Sequence, residues 1–463
     1  MSFVDAPEPE PRRTAAVEEN PEGRSGQSRA ASEPKQSPIR RFLGLFGPGL
    51  VTGAADDDPS GIAASAQAGA TFSNGMLWTA PATLAMMMVV QEICDRTALT
   101  TGDSLGALAR RKFSHKPRVV IAILIVALLA ANILNAAADL MAIGQGMELL
   151  GAGPGHLWSA AAGIGIAAGL MVGGFDIISK VFKWLCMTLL AYVAVLFVAK
   201  VDWTEVVAGL FGLQFQFSVH YLSLIVAILG TAISPYLFFW QSAHRVEELR
   251  EEERGGDQAV GLRKRPPPAS EHKLRNARAD VFVGMLFSVL VMFAIMAASA
   301  ATLGKSGADV KTAADAAKAL EPIVGPAAKF LFAAGFVGSG ILSVPILAAA
   351  GSAGLSGLLG KQWGFERRPS QAPTFYLLLG VGTIGGVVIS FFTSDPIGLL
   401  ILSAIINGIA AAPFLIVVML ISGDKEIMGK YRNGKLAATF GWSATAIMVV
   451  TGAIGIWTAI GTA

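Results

Sequence analysis

Eleven predominantly apolar segments alternate with charged segments along the chain. They lie near 46–70, 76–95, 119–147, 157–175, 180–199, 220–243, 279–303, 327–357, 373–393, 396–421 and 438–460. A helix needs about 20 apolar residues to cross the hydrocarbon core of a bilayer, which is about 30 Å thick. The pattern therefore predicts an all-α polytopic membrane protein of about eleven transmembrane helices, surrounded by the lipid bilayer.

The first and the sixth segments carry helix-breaking residues in their interior. The first contains Asp58-Pro59-Ser60-Gly61, and the sixth contains Ser234-Pro235-Tyr236. Proline lacks an amide donor, so backbone carbonyls near Pro59 and Pro235 are left free for other partners. The two breaks fall in the first span of each of two five-span halves. This arrangement favours a transporter of two inverted five-helix repeats, with its site at the membrane midplane.

Three consecutive aspartates, Asp56, Asp57 and Asp58, precede the first break. A charged side chain at the centre of a membrane helix costs about 2.5–3.5 kcal/mol on insertion scales, so such a cluster requires a water-filled cavity or a bound cation. The half-helix that ends there adds the negative end of its dipole. We expect Asp58 to be the principal metal ligand. Asp57 would ligate through water or line the approach, and Asp56 would lie on the ion pathway.

Asp139 lies deep in the third segment, where the neighbouring residues are apolar. A mid-membrane carboxylate is costly unless it faces a cavity, an ion or a hydrogen-bonding partner. Two interpretations stay open: an ion-pathway group, or a structural residue with local hydrogen bonds.

The basic residues are distributed unevenly between the two sides of the predicted spans. Of the 36 Lys and Arg residues, the side away from the N-terminus receives only Lys200, Lys305, Lys311, Lys318 and Lys329. The positive-inside rule therefore places the N-terminus in the cytoplasm. The predicted organisation is a disordered tail at 1–42, repeats at 43–200 and 201–422, and a final loop and helix at 423–463. Within the second repeat, segment 244–278 is predicted to be a charged, solvated cytoplasmic loop.

The sequence also excludes some classes of function. It contains no nucleophile–base pair or phosphate loop within the spans, so an enzyme is not expected. Cys94 and Cys186 lie in separate apolar segments and are interpreted as buried thiols. We expect no cofactor apart from the transported ion and no nucleic-acid partner, and the oligomeric state stays open. A membrane metal sensor and an organic-solute transporter of the same fold are alternatives.

Several short motifs resemble those of the Nramp family of divalent metal transporters. They are Gly47-Pro48-Gly49, Asp58-Pro59-Ser60-Gly61, Gln67-Ala68-Gly69-Ala70 and, after the tenth span, Gly423-Asp424-Lys425. The resemblance implies an amino-acid-transporter-like fold of two inverted five-helix repeats. It also implies a divalent cation between the first and sixth spans. We expect an integral protein of the bacterial inner membrane.

The chain departs from the family pattern at the expected ligands. Gly61 replaces an asparagine ligand and Ser234 replaces a methionine thioether, while Thr231 would supply a backbone carbonyl. Soft thioethers favour transition metals, whereas Mg²⁺ prefers oxygen and retains water. The resemblance is thus to the Nramp-related magnesium transporter branch, with Mg²⁺ expected first and Mn²⁺ second.

The groups that the resemblance assigns to proton movement are also replaced. Tyr236 and Gln241 stand in place of histidines on the ion pathway, and Ala142 stands in place of a glutamate. Alternating-access transport with weak or absent proton coupling is therefore expected. A proton-coupled Mn²⁺/Fe²⁺ symporter is the alternative.

Overall fold

The computed structural model describes residues 48–172, 181–182, 184–198, 201–252, 255–256, 258–302, 304, 325, 327–393 and 395–461. The predicted tail at 1–42, Gly47 and part of the fifth apolar segment lie outside the described residues. Within them the regular structure is helical throughout, as the apolar pattern predicts.

Sixteen α-helices are described. In chain order, α1 to α8 are Pro48–Asp56, Pro59–Phe72, Thr79–Thr101, Leu105–Lys112, His115–Leu149, Gly155–Val172, Leu190–Val198 and Trp203–Leu210. The remaining helices, α9 to α16, are Val219–Ala232, Pro235–Glu251, Pro267–Thr302, Ala327–Leu359, Pro373–Ser390, Pro396–Ser422, Lys425–Met428 and Lys435–Gly461.

Eight helical stretches of the described chain are long and apolar enough to cross a membrane. A ninth is formed if Pro59–Met76 and Thr79–Thr101, which meet at 109°, are counted as one span. The first predicted segment is divided between α1 and α2, with 9 and 14 residues. At 1.5 Å per residue these are about 14 and 21 Å long, so neither crosses a bilayer of about 30 Å alone.

Both helix breaks have the same local design. Asp58 (φ −65°, ψ 168°) and Ser234 (φ −74°, ψ 136°) are extended, and a proline follows each as the first residue of the next helix. A proline ring disfavours helical geometry in the preceding residue and fits the first turn of a helix. The sequences Asp58-Pro59 and Ser234-Pro235 therefore end one helix and start the next.

Glycine contacts hold both broken helices against long neighbours. A Cβ added to Gly53 of α1 would fall 2.1 Å from the carbonyl oxygen of Gly284 in α11. A Cβ added to Gly230 of α9 would fall 2.0 Å from the carbonyl oxygen of Ala404 in α14. Small residues permit this close backbone approach in membrane proteins. This packing holds α1 against α11 and α9 against α14.

The prediction of a solvated loop at 244–278 is wrong at both ends of the segment, which are helical. Helix α10 continues to Glu251, and α11 begins at Pro267. Arg245 and Glu247 are only 3% and 2% exposed. The many charged residues suggested solvent exposure, but Arg245 is neutralised within the protein, where it pairs with Asp95 at 2.6 Å. A charged sequence predicts solvent exposure only when its charges lack internal partners.

Candidate functional site

Asp58 lies at the first helix break and is almost completely buried, at 1% exposure. As the residue that caps α2, it accepts a hydrogen bond from the backbone amide of Gly61 at 2.9 Å through Oδ1. The Ser60 hydroxyl donates to the same oxygen at 2.5 Å. These two bonds set the orientation of the carboxylate, leaving Oδ2 to face the rest of the protein.

Oδ2 of Asp58 joins three parts of the fold. Asn135 Nδ2 on α5 donates to it at 3.1 Å, and the Tyr236 hydroxyl on α10 donates to it at 3.2 Å. The same hydroxyl lies 3.1 Å from the carbonyl oxygen of Ala55 at the end of α1. The two helix breaks are thus in direct contact through Tyr236 and Asp58.

The other mid-membrane carboxylates surround this point and are equally buried. Asp56 Oδ2 accepts from the Ser288 hydroxyl at 2.6 Å, and Asp139 Oδ2 accepts from the Ser343 hydroxyl at 2.6 Å. Asp56 Oδ1, Asp57 Oδ2 and Asp139 Oδ1 are buried without a hydrogen-bond partner among the described residues. No described Lys or Arg forms an ion pair with any of these four aspartates. Uncompensated buried carboxylate oxygens attract a cation or a proton.

At the second break, Ser234 is fully buried and bonds backward onto the end of α9. Its hydroxyl lies 2.6 Å from the Gly230 carbonyl oxygen and 2.8 Å from the Thr231 carbonyl oxygen. Gly61 lies opposite: a Cβ there would be 3.8 Å from Thr231 Cβ and 3.0 Å from the Asp56 carbonyl oxygen. Gly61, Thr231 and the start of α2 are therefore close neighbours.

Gln241 lies in a different hydrogen-bonded group. Its side chain accepts a hydrogen bond from the Thr52 hydroxyl and donates to Asp95 Oδ1 at 2.7 Å. Asp95 in turn pairs with Arg245 Nε at 2.6 Å. Gln241 is thus part of a buried ion-pair cluster, and its side chain is hydrogen-bonded to Thr52 and Asp95.

The sequence interpretation missed the polar face of α5. Asn132, Asn135 and Asp139 are all buried on this helix. Their spacing of three and then four residues places them on one face, and this signal was available in the sequence. Asn135 Oδ1 also accepts from the Ser403 hydroxyl of α14 at 2.8 Å. One turn later, Asn407 is 1% exposed and has no hydrogen-bond partner among the described residues.

The donor set around Asp58 is made of hard atoms. It offers carboxylate, carbonyl and hydroxyl oxygens and one amide side chain. In the described part of the chain, no three His, Cys, Asp or Glu side chains converge as a ready-made metal cage. A cation here would need backbone carbonyls, hydroxyls or retained water beside the carboxylate. Such ligands suit Mg²⁺ and Mn²⁺.

Comparison with known proteins agrees with these motifs. The family model for natural resistance-associated macrophage protein-like (Nramp) proteins matches residues 49–458. The chain belongs to the Nramp family. It is therefore an integral membrane transporter and not an enzyme, and the predicted Nramp resemblance is confirmed.

Bacterial relatives align over nearly the full length of this Nramp protein. The divalent metal cation transporter MntH of Deinococcus radiodurans is 25% identical over 439 residues, covering 91% of this chain and 92% of its own. The MntH of Aeromonas hydrophila is 26% identical over 432 residues, covering 89% of this chain and 95% of its own.

Two solved structures share the fold. The manganese transporter of Eremococcus coleocola matches with a TM-score of 0.72 at 17% identity, over 92% of this chain and 88% of that chain. A nucleobase-cation-symport-1 family transporter matches with a TM-score of 0.52 at 15% identity, over 90% and 93%. The predicted fold class, an all-α transporter fold with broken first and sixth helices, is confirmed.

Proposed function

We propose that this Nramp protein carries divalent cations across the membrane by alternating access, with Mg²⁺ preferred and Mn²⁺ sharing the route. Asp58 is the principal ligand. The Thr231 carbonyl, Ser234 and the backbone around Asp57–Gly61 complete a shell that includes retained water. The N-terminus lies in the cytoplasm, on the charge asymmetry described above.

One observation carries the proposal: the Asp58 carboxylate lies at the contact between the two helix breaks. Through Oδ2 it meets Tyr236 of α10 at 3.2 Å and Asn135 of α5 at 3.1 Å. A cation that drew these groups together would couple its own binding to the relative positions of α1, α5 and α10. Such coupling between a ligand and a helix arrangement is what alternating access requires.

The ligand atoms support the preference for Mg²⁺. Ser234 offers a small hydroxyl, and Gly61 offers no side chain. The expected ligands at these positions are therefore oxygen atoms, which Mg²⁺ prefers. Without a thioether among the expected ligands, soft transition metals gain no special stabilisation.

The membrane potential supplies enough free energy for uptake without protons. An inside-negative potential of 100 mV contributes about 4.6 kcal/mol for a divalent cation, since each charge contributes about 2.3. The proton-coupled alternative has one specific observation in its favour: Asp139 Oδ1 is buried without a hydrogen-bond partner among the described residues. A proton could bind there, so the test below records internal pH.

The decisive experiment measures Mg²⁺ and Mn²⁺ influx into liposomes that contain the purified protein, with internal pH recorded. We expect Mg²⁺ entry without acidification in the wild type, and loss of at least about 90% of the flux in Asp58→Ala, since the principal charged ligand is gone. Asp395→Asn is the matched control, because Asp395 caps α14 through the Gly398 amide at 2.9 Å and asparagine also caps helices.

Other outcomes separate the alternatives. Mn²⁺ entry accompanied by acidification would replace the uncoupled mechanism with the proton-coupled one. Full flux in Asp58→Ala would remove Asp58 from the ligand set. Absence of flux for both ions, in protein that remains folded, would favour a sensor or an organic substrate.

A further inference from the structure

A large cavity lies away from the two helix breaks, on the side that the charge distribution assigns to the cytoplasm. Its volume is about 1220 Å³. It is bounded by the end of α3, by α4, by the segment 258–264 and by the chain that follows α12. Ligand pockets commonly measure about 300–1,000 Å³, so this cavity could hold a small molecule with its hydration water.

The described lining of this cavity is strongly basic. Eight of its side chains are Arg or Lys, whereas Asp103 is its single carboxylate. Asp103 is already paired with Arg111 at 2.8 Å. The cavity therefore presents a large excess of positive charge, and low-dielectric walls concentrate the resulting field.

Several of these cations are fixed in place by the protein. The Arg250 guanidinium lies 4.5 Å from the centre of the Trp363 ring and pairs with Glu366 at 2.9 Å, with a side chain that is only 11% exposed. Arg118 donates to the carbonyl oxygens of Arg110 and Phe113 at 2.8 and 3.0 Å. Preorganised guanidinium groups lose little freedom on binding an anion.

Three further side-chain cations have no hydrogen-bond or ion-pair partner among the described residues: those of Arg110, Lys264 and Lys361. They come from α4, from the segment before α11 and from the chain after α12. The Arg110 guanidinium lies against Gly360, where φ is +70° and an added Cβ would fall 1.4 Å from Nη1. The absent side chain at Gly360 therefore makes room for the Arg110 charge.

The positive-inside rule alone does not explain this convergence. It predicts basic residues in cytoplasmic loops, without gathering them around one cavity. Elsewhere on the same side, several basic residues pair with carboxylates: Asp424 pairs with Lys112, Glu92 with Arg278, and Glu248 with Lys273. The described cavity lining instead combines eight basic side chains with a single carboxylate.

We propose that this cavity binds a phosphate-bearing anion. Arginine forks match phosphate oxygens in pairs, and lysines add point charges. The same chemistry is available from two sources: a soluble polyphosphate compound, or the headgroup of an anionic phospholipid, which basic pockets on the cytoplasmic side also accept. The proposal does not depend on the transported ion.

The test uses the purified full-length protein in phosphatidylcholine nanodiscs. One arm titrates tripolyphosphate, and the other titrates dihexanoyl phosphatidylglycerol, both by calorimetry. The cavity variant combines Arg110→Gln, Lys264→Gln and Lys361→Gln. The control combines Lys116→Gln, Arg275→Gln and Lys435→Gln, three exposed residues outside the cavity lining that remove the same total charge. Elution volume and melting temperature establish that both variants fold.

We expect saturable binding of one probe to the wild type, weakened about tenfold or more in the cavity variant and less than about threefold in the control. Binding should also weaken as salt rises, because screening reduces charge attraction. The probe that binds identifies the source of the phosphate. Equal loss in both variants, an unaffected cavity variant, or no saturable binding of either probe up to about 1 mM would overturn the proposal.

Discussion

The ion-pair cluster around Arg245 provides a prediction whose size follows from the structure. Its guanidinium pairs with Asp95 at 2.6 Å, Glu248 at 2.5 Å and Asp280 at 2.9 Å. The Arg245 side chain is 4% exposed and that of Asp95 is 2% exposed. One cation thus holds together α3, α10 and α11. Asp280 also accepts from the Gly49 amide of α1 at 2.8 Å.

Arg245→Gln should lower the free energy of unfolding by about 3–5 kcal/mol, the range for removing one partner of a buried ion pair. The loss arises mainly because Asp95 and Asp280 keep their buried charges without the guanidinium. The triple variant Arg245→Gln, Asp95→Asn, Asp280→Asn should recover most of it, because no uncompensated charge remains. Asparagine preserves the volume of each aspartate side chain.

The free energy of unfolding of both variants is measured by equilibrium unfolding in mixed micelles with increasing sodium dodecyl sulfate. Arg275→Gln is the control, since that arginine is exposed on the same helix as Asp280. A loss below about 1 kcal/mol in Arg245→Gln would refute the reasoning, as such a value is typical of an exposed pair. The reasoning would also be refuted if the triple variant were no more stable than Arg245→Gln alone.

Three further predictions follow from other parts of the fold. Gly230→Ala should reduce flux and thermal stability together, because the added methyl falls 2.0 Å from the Ala404 carbonyl oxygen; unchanged melting would contradict the close packing. Lys112 hydrogen bonds to Asp424 and holds the pKa of that carboxyl below its usual value, so this stabilisation exists near neutral pH and disappears as the carboxyl is protonated. The melting-temperature gap between wild type and Asp424→Asn should therefore shrink between pH 7 and about pH 3, and a constant gap would argue against the ion pair. Ser234→Met should raise Mn²⁺ influx relative to Mg²⁺ by about tenfold, since a thioether favours softer metals; an unchanged ratio would separate Ser234 from the ion.

Much of the fold could be predicted from local sequence. Asp58-Pro59 and Ser234-Pro235 end helices for steric reasons that need no distant partner. The contact between Asp58 and Tyr236, 178 positions apart, could be expected only through the pairing of the two breaks. Matching breaks in the first span of each five-span half supplied that pairing, and the Nramp match agrees with it.

Other features could not be predicted because they depend on distant partners. Nothing in the sequence near Arg245 shows that Asp95 will neutralise it, so the charged segment suggested a solvated loop. Asn135 was overlooked because an amide in an apolar segment carries no charge to draw attention. Its partner Ser403 lies 268 positions away. Burial of polar groups depends on tertiary contacts, which local composition does not encode.

The Tyr236 hydroxyl has a single proton and two acceptors within reach, the Ala55 carbonyl and Asp58. If the ion binds Asp58 as proposed, the hydroxyl can turn its proton to Ala55 without any movement of the ring. When the ion departs, the proton can return to the carboxylate. The empty and the loaded protein then differ by a rotation of one O–H bond at this position, and the hydroxyl has an acceptor in both states. A transporter that returns without its ion in every cycle needs its buried hydroxyl to be hydrogen-bonded both with and without that ion.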